Sequence, residues 1–274
     1  MRWRQPPSID SGVGNKDCAM CLIGLHLGAT PSLMLVANRD EFADRPTAPM
    51  HWWKENLLAG KDLRAGGTWL GLHRSGRFAA ITNVRDPSIR DAPVPMGSRG
   101  LMVKAFLTGD SAPRHFLETT RDHVTGPSPY NLIVGSIGPV GCECWWLGGR
   151  TRQIKAMHSG ANVLSNAELN TPWPKAERLL QAMHTINPDA IRGVMYSRET
   201  APDDVLPNTG ISPDWEKRLS AALITGDDYH TRSSTFISIS AGRASVQEIT
   251  WSSQAEEIGR FEESFVLGPE LSSP

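Results

Sequence analysis

The sequence predicts an α+β fold in which antiparallel sheets are covered by helices. Two observations point there. Strand-like apolar runs come in blocks separated by blocks of helical periodicity, and the regular strand–helix–strand spacing of a parallel sheet is missing. The chain has 274 residues, 39% of them hydrophobic, enough to build one large core, and no internal repeat or low-complexity tract divides it. We expect residues 1–20 to be a flexible leader or a mis-assigned start, 21–268 to form a single domain, and 269–274 to be a tail.

The elements follow in order. CLIGLHLG and LMLVANRD are apolar runs separated by Ala29-Thr30-Pro31-Ser32, the pattern of a hairpin. LLAG, TWLGLH and RFAAITNV are further strands, with Gly66-Gly67 and Ser75-Gly76 as turns. Apolar residues then recur at three- and four-residue intervals, which predicts helices over 99–107 and 113–122. NLIVGS, CECWWLG, TRQIKAM and ANVLSN read as a second antiparallel group. Thr171-Pro172-Trp173-Pro174 opens a helix running to about 184, because proline loses nothing in a first turn, and Asn187-Pro188-Asp189 starts a shorter one. A helix over 215–223 precedes three closing strands, STFISIS, ASVQEITW and ESFVLG.

Composition narrows the function. Lys plus Arg at 28 against Asp plus Glu at 29 gives a formal charge of -1, so nothing draws the chain toward nucleic acid, and a small-molecule substrate or ligand is the expected partner. No apolar run reaches the roughly 18 to 20 residues of a membrane span, and the leader lacks the apolar stretch of a secretory signal. Four cysteines (18, 21, 142 and 144) are too few and uneven for a disulfide framework, which places the protein in a reducing, cytoplasmic setting. Cys142 and Cys144 in GCECWWL are expected to point apart and to be structural. The eight histidines show no metal-ligand spacing, and His26, His73 and His158 are expected to be structural. Nine tryptophans, Trp69 and Trp173 among them, serve mainly as core. No phosphate loop is present, so no cofactor and no metal are expected.

The most distinctive segment is Asn38-Arg39-Asp40-Glu41 at the end of the second strand. Four consecutive polar side chains, three of them charged, must face water, each other or a site. With MCLIGLHL, ANRDEFADRP, GGTWLGLHRSGRFAAITNVRDP and LSNAELNTPWPKAER in this order, the chain resembles the NRDE-motif family, whose eukaryotic members are named for transport and Golgi organisation. The resemblance spans most of residues 20–175. It implies an Ntn-hydrolase-like αββα sandwich, two antiparallel sheets between helical layers. It extends more weakly to the Cys-type N-terminal-nucleophile amidases, which include bile-salt hydrolases and penicillin V acylases.

By that likeness Cys21 is the nucleophile, Arg39 and Asp40 are the strand-two pair, Asn83 and Asn166 the amides that hold the oxyanion and substrate, and Arg232 a late guanidinium. Each also has a structural reading: Cys21 as a buried core residue, Asn83 and Asn166 as turn or cap residues, Arg232 as a surface cation. The chemistry of the set is coherent. A free α-amine has a pKa of about 7.7 to 8.0 and can take the thiol proton of its own residue, while a nearby Arg favours the thiolate. Cys21 is not terminal in this sequence, so that mechanism needs translation to begin at Met20 or the leader to be cleaved. The resemblance also implies an alternative, a non-catalytic protein handling haem or acyl lipid on the same scaffold.

Overall fold

The first hairpin is apolar on both faces, which demands a covering layer on each side. The computed structural model describes residues 20–85, 99–123, 129–138 and 141–268. The expected leader with Cys18, apart from Met20, and the expected tail lie outside these residues. β1 (Met20–Leu27) and β2 (Leu33–Phe42) pair antiparallel, with Leu27 opposite Leu33. Ile23, Leu25, Leu35 and Ala37 enter a core between two sheets, while Leu22 and Val36 meet helices on the other side.

The second sheet is antiparallel throughout, built from β3 (Thr47–Trp52), β4 (Leu57–Asp62), β5 (Leu70–His73), β6 (Arg77–Asn83), β7 (Tyr130–Gly138), β8 (Gly141–Leu147) and β9 (Ile154–Ala156) in that order. β3 has no counterpart in the sequence reading. Pro49 lies within it, the register shifts between Ala48 and His51, and the strand sits at the edge, where a residue without an N–H is tolerated. Phe78, Ile133 and Trp146 face the intersheet core. The outer face of this sheet carries Ala79, Leu132 and Val134 against α1 (Arg99–Thr108) and α2 (Pro113–His123), which supply Val103, Phe106 and Leu117.

After β9 the chain crosses to the first sheet. β10 (Gly160–Leu164) pairs with β1, so ANVLSN does not continue the second group, as its composition alone suggested. Val163 faces the helical layer while Leu164 enters the intersheet core, which explains an apolar pattern that carried no sheet identity. α3 (Pro174–Thr185) and α4 (Pro188–Met195) cover this side with Leu179, Met183, Ile191 and Met195. Asn187 caps α4 by accepting from the N–H groups of Asp189 and Ala190 at 2.9 and 3.3 Å. β11 (Tyr229–Ser240), β12 (Arg243–Trp251) and β13 (Glu257–Val266) complete the sheet in the order β10-β1-β2-β11-β12-β13. The result is helices, sheet, sheet, helices: the αββα sandwich that the resemblance implied. Among the described residues, no helix is long and apolar enough to cross a membrane.

The helix expected over 215–223 ends earlier. α5 spans Pro213–Leu219, with Ser212 as its cap, and residues 220–224 leave it to run beneath β2. Their backbone is claimed by side chains: Asn38 donates to the carbonyls of Ala222 at 2.7 Å and Met195 at 2.8 Å. Asn38 also accepts from Ser234 Oγ at 2.6 Å, which in turn accepts from the Trp251 indole at 2.8 Å. Asn38 is fully buried and joins the sheet to α4 and to this segment. Replacing it with leucine would strand two buried carbonyls. We expect Asn38→Leu to lower the unfolding free energy by about 2–5 kcal/mol in urea titrations, against less than about 1 kcal/mol for an exposed control such as Asn208→Leu.

Candidate functional site

The β1–β2 ladder sets Cys21 opposite Arg39 and Met20 opposite Asp40. Alternation divides the NRDE segment between two buried faces. Asn38 and Asp40 look toward the helices, Arg39 and Glu41 toward the second sheet, and Cys21, in phase with Ile23 and Leu25, shares the Arg39 face. Arg39 lies 4.1 Å above the Trp69 ring, donates to Thr47 Oγ1 at 3.1 Å and pairs with Glu41 at 3.4 Å. Glu41 also accepts from the Phe42 N–H at 2.9 Å. Burial pushes the Cys21 thiol up to about 12, and the negative charge of Asp40 adds to this while Arg39 offsets part of it. With residue 20 attached, the sulfur is a neutral thiol.

Asp40 is fully buried. Its Oδ1 accepts from Thr231 Oγ1 at 2.5 Å, and Thr231 Oγ1 accepts from the Ile224 N–H at 2.8 Å. Its Oδ2 is buried without a hydrogen-bond partner. Burial raises the Asp40 carboxyl to about 6, against the favourable influence of Lys175, Thr231 and Arg39. Lys175 of α3 is 1% exposed and donates to the carbonyls of Leu219 at 2.9 Å and Ala221 at 3.4 Å. Burial lowers its ammonium to about 8, with Asp40 the largest opposing influence.

Asn83 and Asn166 are brought together from different sheets. Asn83 ends β6, Asn166 follows β10, and the Asn166 side-chain amide donates to the Asn83 carbonyl at 2.8 Å. Thr82 Oγ1 donates to the Ser165 carbonyl at 2.9 Å beside them, and β6 packs against β1. Arg232 stands elsewhere in role. It is the extra residue at a bulge in β11, and it donates to the carbonyls of Phe42, Ala43 and Arg45 at 3.0, 3.4 and 3.2 Å. That staples the turn leaving β2. The side chain is half-buried, and burial and the nearby Arg39 charge lower its pKa.

Other expectations resolve simply. His73 bonds Ser75 Oγ at 2.7 Å in its own turn and the Glu55 carbonyl at 2.9 Å in the turn before β4, and His158 is exposed. Cys142 and Cys144 do not point apart: two residues apart on one strand, they share the intersheet face, where Cys144 Sγ lies 3.6 Å from Met157 Sδ. Among the described residues, no three potential ligands gather for a metal. Trp69 and Trp173 are platforms for Arg39 and Arg85, and Arg85 pairs with buried Glu216 at 2.8 Å.

Sequence reasoning missed Lys175, Thr231 and the Arg85–Glu216 pair. Lys175 had a visible signal: it stands four, seven and eight positions before Leu179, Ala182 and Met183, in line with the buried stripe of its helix.

A buried carboxyl raised in the folded state binds its proton more tightly there than in the unfolded chain. Its contribution to stability therefore falls as pH rises from 3.8 toward about 6. We expect the stability of the wild type relative to Asp40→Asn to fall by about 2 kcal/mol between pH 4 and pH 7, measured by denaturant unfolding at each pH. A flat difference would show that Asp40 is not titrating in this environment.

A family model described as Transport and Golgi organisation 2 matches residues 20–253. The Transport and Golgi organization protein 2 homolog of Bos taurus is 29% identical over 250 residues, covering 81% of this chain and 89% of that protein. The Mus musculus homolog is 35% identical over 174 residues, covering 57% of this chain and 60% of its own length. Among solved structures, a mutant conjugated bile acid hydrolase from Clostridium perfringens aligns with a TM-score of 0.44 at 9% identity, covering 89% of this chain and 92% of its own. An N-acylethanolamine-hydrolyzing acid amidase ortholog from Caenorhabditis elegans aligns with a TM-score of 0.37 at 11% identity, covering 79% and 92%. With the family match running from the start of β1 through the whole of β12, the chain belongs to the Transport and Golgi organisation 2 family.

Proposed function

We propose that this protein is a cysteine N-terminal-nucleophile amidohydrolase, acting on an amide or ester of a small, partly apolar molecule once Cys21 carries a free α-amine. The observation that carries this reading is the buried Asp40 Oδ2, which has no hydrogen-bond partner, in a residue whose ladder partner is Met20. A carboxylate oxygen left unmatched at full burial is costly. An amine at position 21 would supply the missing donor.

In the proposed reaction the Cys21 α-amine takes the thiol proton, and Sγ attacks the substrate carbonyl carbon. The carbonyl π electrons move to oxygen, where the side-chain amides of Asn83 and Asn166 stabilise the negative charge. Collapse of the tetrahedral adduct breaks the bond to the leaving group, which receives the proton from the ammonium, and leaves a thioester on Cys21. Water then repeats the sequence: the amine takes a water proton, hydroxide adds to the thioester carbon, the C–S bond breaks, and the proton returns to sulfur. Arg39, stacked on Trp69, favours the developing thiolate, and Arg232 acts by holding the 42–45 turn behind it.

The thiol pushed up to about 12 argues that the chain with residue 20 attached is inert, since only the thiolate attacks. We expect protein made to start at Cys21 to form a mass-detectable thioester with activated acyl esters. It should release amine from an acyl-amide panel at least about 100-fold faster than its Cys21→Ala counterpart and the 274-residue chain. Equal turnover in all three would defeat the hydrolase. Saturable binding of haem or acyl-CoA that survives Cys21→Ala would then favour a carrier.

A further inference from the structure

We infer that Lys175 is a positioning residue for this site: it serves as the counter-ion of Asp40 across residues 219–224, keeping the carboxylate ionised so that it can receive the Cys21 amine. The inference rests on the role proposed above for Asp40.

The position of the lysine is the first argument. It lies on the buried stripe of α3 with Leu179 and Met183, where an aliphatic residue would pack without a desolvation cost. Two of its three hydrogens go to backbone carbonyls, those of Leu219 and Ala221. Carbonyl dipoles solvate an ammonium but do not neutralise it.

The second argument is that one short segment joins both charges. Residues 219–224 accept from Lys175 at their start, from Asn38 at Ala222, and hand the Ile224 N–H to Thr231, whose hydroxyl donates to Asp40. The two ends of opposite sign are thus fixed against the same strip of backbone.

The third is a matching of charges. Arg39 pairs with Glu41 at 3.4 Å, Arg85 with Glu216 at 2.8 Å, and Arg178 with Glu199 at 3.0 Å. These are the cations that, with Cys21 on β1, share the surroundings of Asp40 and Lys175. Each already has its own carboxylate. Asp40 and Lys175 are the two left to balance each other, at a separation beyond direct pairing among the described residues. Their mutual influence agrees: each is the largest force holding the other in its charged form. A cation behind the carboxylate also weakens its grip on an ammonium at position 21, so the amine can release its proton near neutral pH and act as a base.

The test is a titration of side-chain carboxyl carbons by NMR on the full chain, with Asp40 assigned by its loss in Asp40→Asn. We expect Lys175→Met to raise the Asp40 midpoint by at least about one pH unit, and Lys175→Arg to leave it within about 0.3 units of the wild type. If Lys175→Met does not fold by circular dichroism, Lys175→Gln, which keeps donors for the two carbonyls, takes its place with the same expected rise. An unchanged Asp40 midpoint in a folded, uncharged variant would overturn the inference. The titration needs no turnover, so an inactive Cys21 sinks the hydrolase and leaves this result standing, whereas an active enzyme with an unmoved midpoint sinks only Lys175.

Discussion

In the β1–β2 ladder every side chain must enter one of two buried faces, and this alternation governs what the NRDE segment can do. Asn38 and Asp40 go to the helical side; Arg39 and Glu41 go to the intersheet side. A string that reads as one motif is therefore two devices. Asn38 is an architectural clamp, with its amide on the carbonyls of Met195 and Ala222. Arg39 with Glu41 is a matched pair against an aromatic floor. Within this four-residue segment, Asp40 alone combines full burial with an oxygen that nothing satisfies.

That combination is hard to explain by stability. A buried carboxylate raised to about 6 and a buried ammonium lowered to about 8 both oppose folding near neutral pH, relative to apolar residues of similar volume. Their neighbours show that the fold can satisfy such groups when needed: Glu216 accepts from Thr209 twice and pairs with Arg85, and Glu248 accepts from the Met50 N–H at 2.7 Å and Thr235 at 3.0 Å. Other buried oxygens, Asn131 Oδ1 and Glu168 Oε1 among them, also lack a partner, but among the described residues Asp40 Oδ2 is the one that belongs to a fully buried carboxyl, where a further donor would offset the most desolvation.

Much of this was legible in the sequence. Blocks of strands and helices without regular strand–helix–strand spacing were enough for an antiparallel α+β class, and the order of the quoted segments, through the resemblance it carries, for the layered sandwich. The pairing of Cys21 with Arg39 follows from a hairpin whose turn is short. Three things were not legible. β10 carries the same apolar pattern as its neighbours, and which sheet it joins is a matter of long-range pairing to β1. Residues 220–224 have good helix formers, yet tertiary hydrogen bonds from Asn38 and Lys175 hold their carbonyls elsewhere. Arg232 gave no hint of its bulge, because a bulge depends on the partner strand's register.

The thiol itself supplies the last step. At position 21 the peptide nitrogen of an unprocessed chain cannot accept a proton, since its lone pair is delocalised into the carbonyl. The sulfur then has a cation, Arg39, whose charge is shared with Glu41, and two carboxylates that raise it further. On the proposed reading, freeing the nitrogen changes this balance: unprotonated, the amine is a base on the same residue, and protonated, it is a cation that offsets the charge of Asp40. On that same reading, a site that is silent with the peptide bond intact becomes competent by the breaking of that one bond.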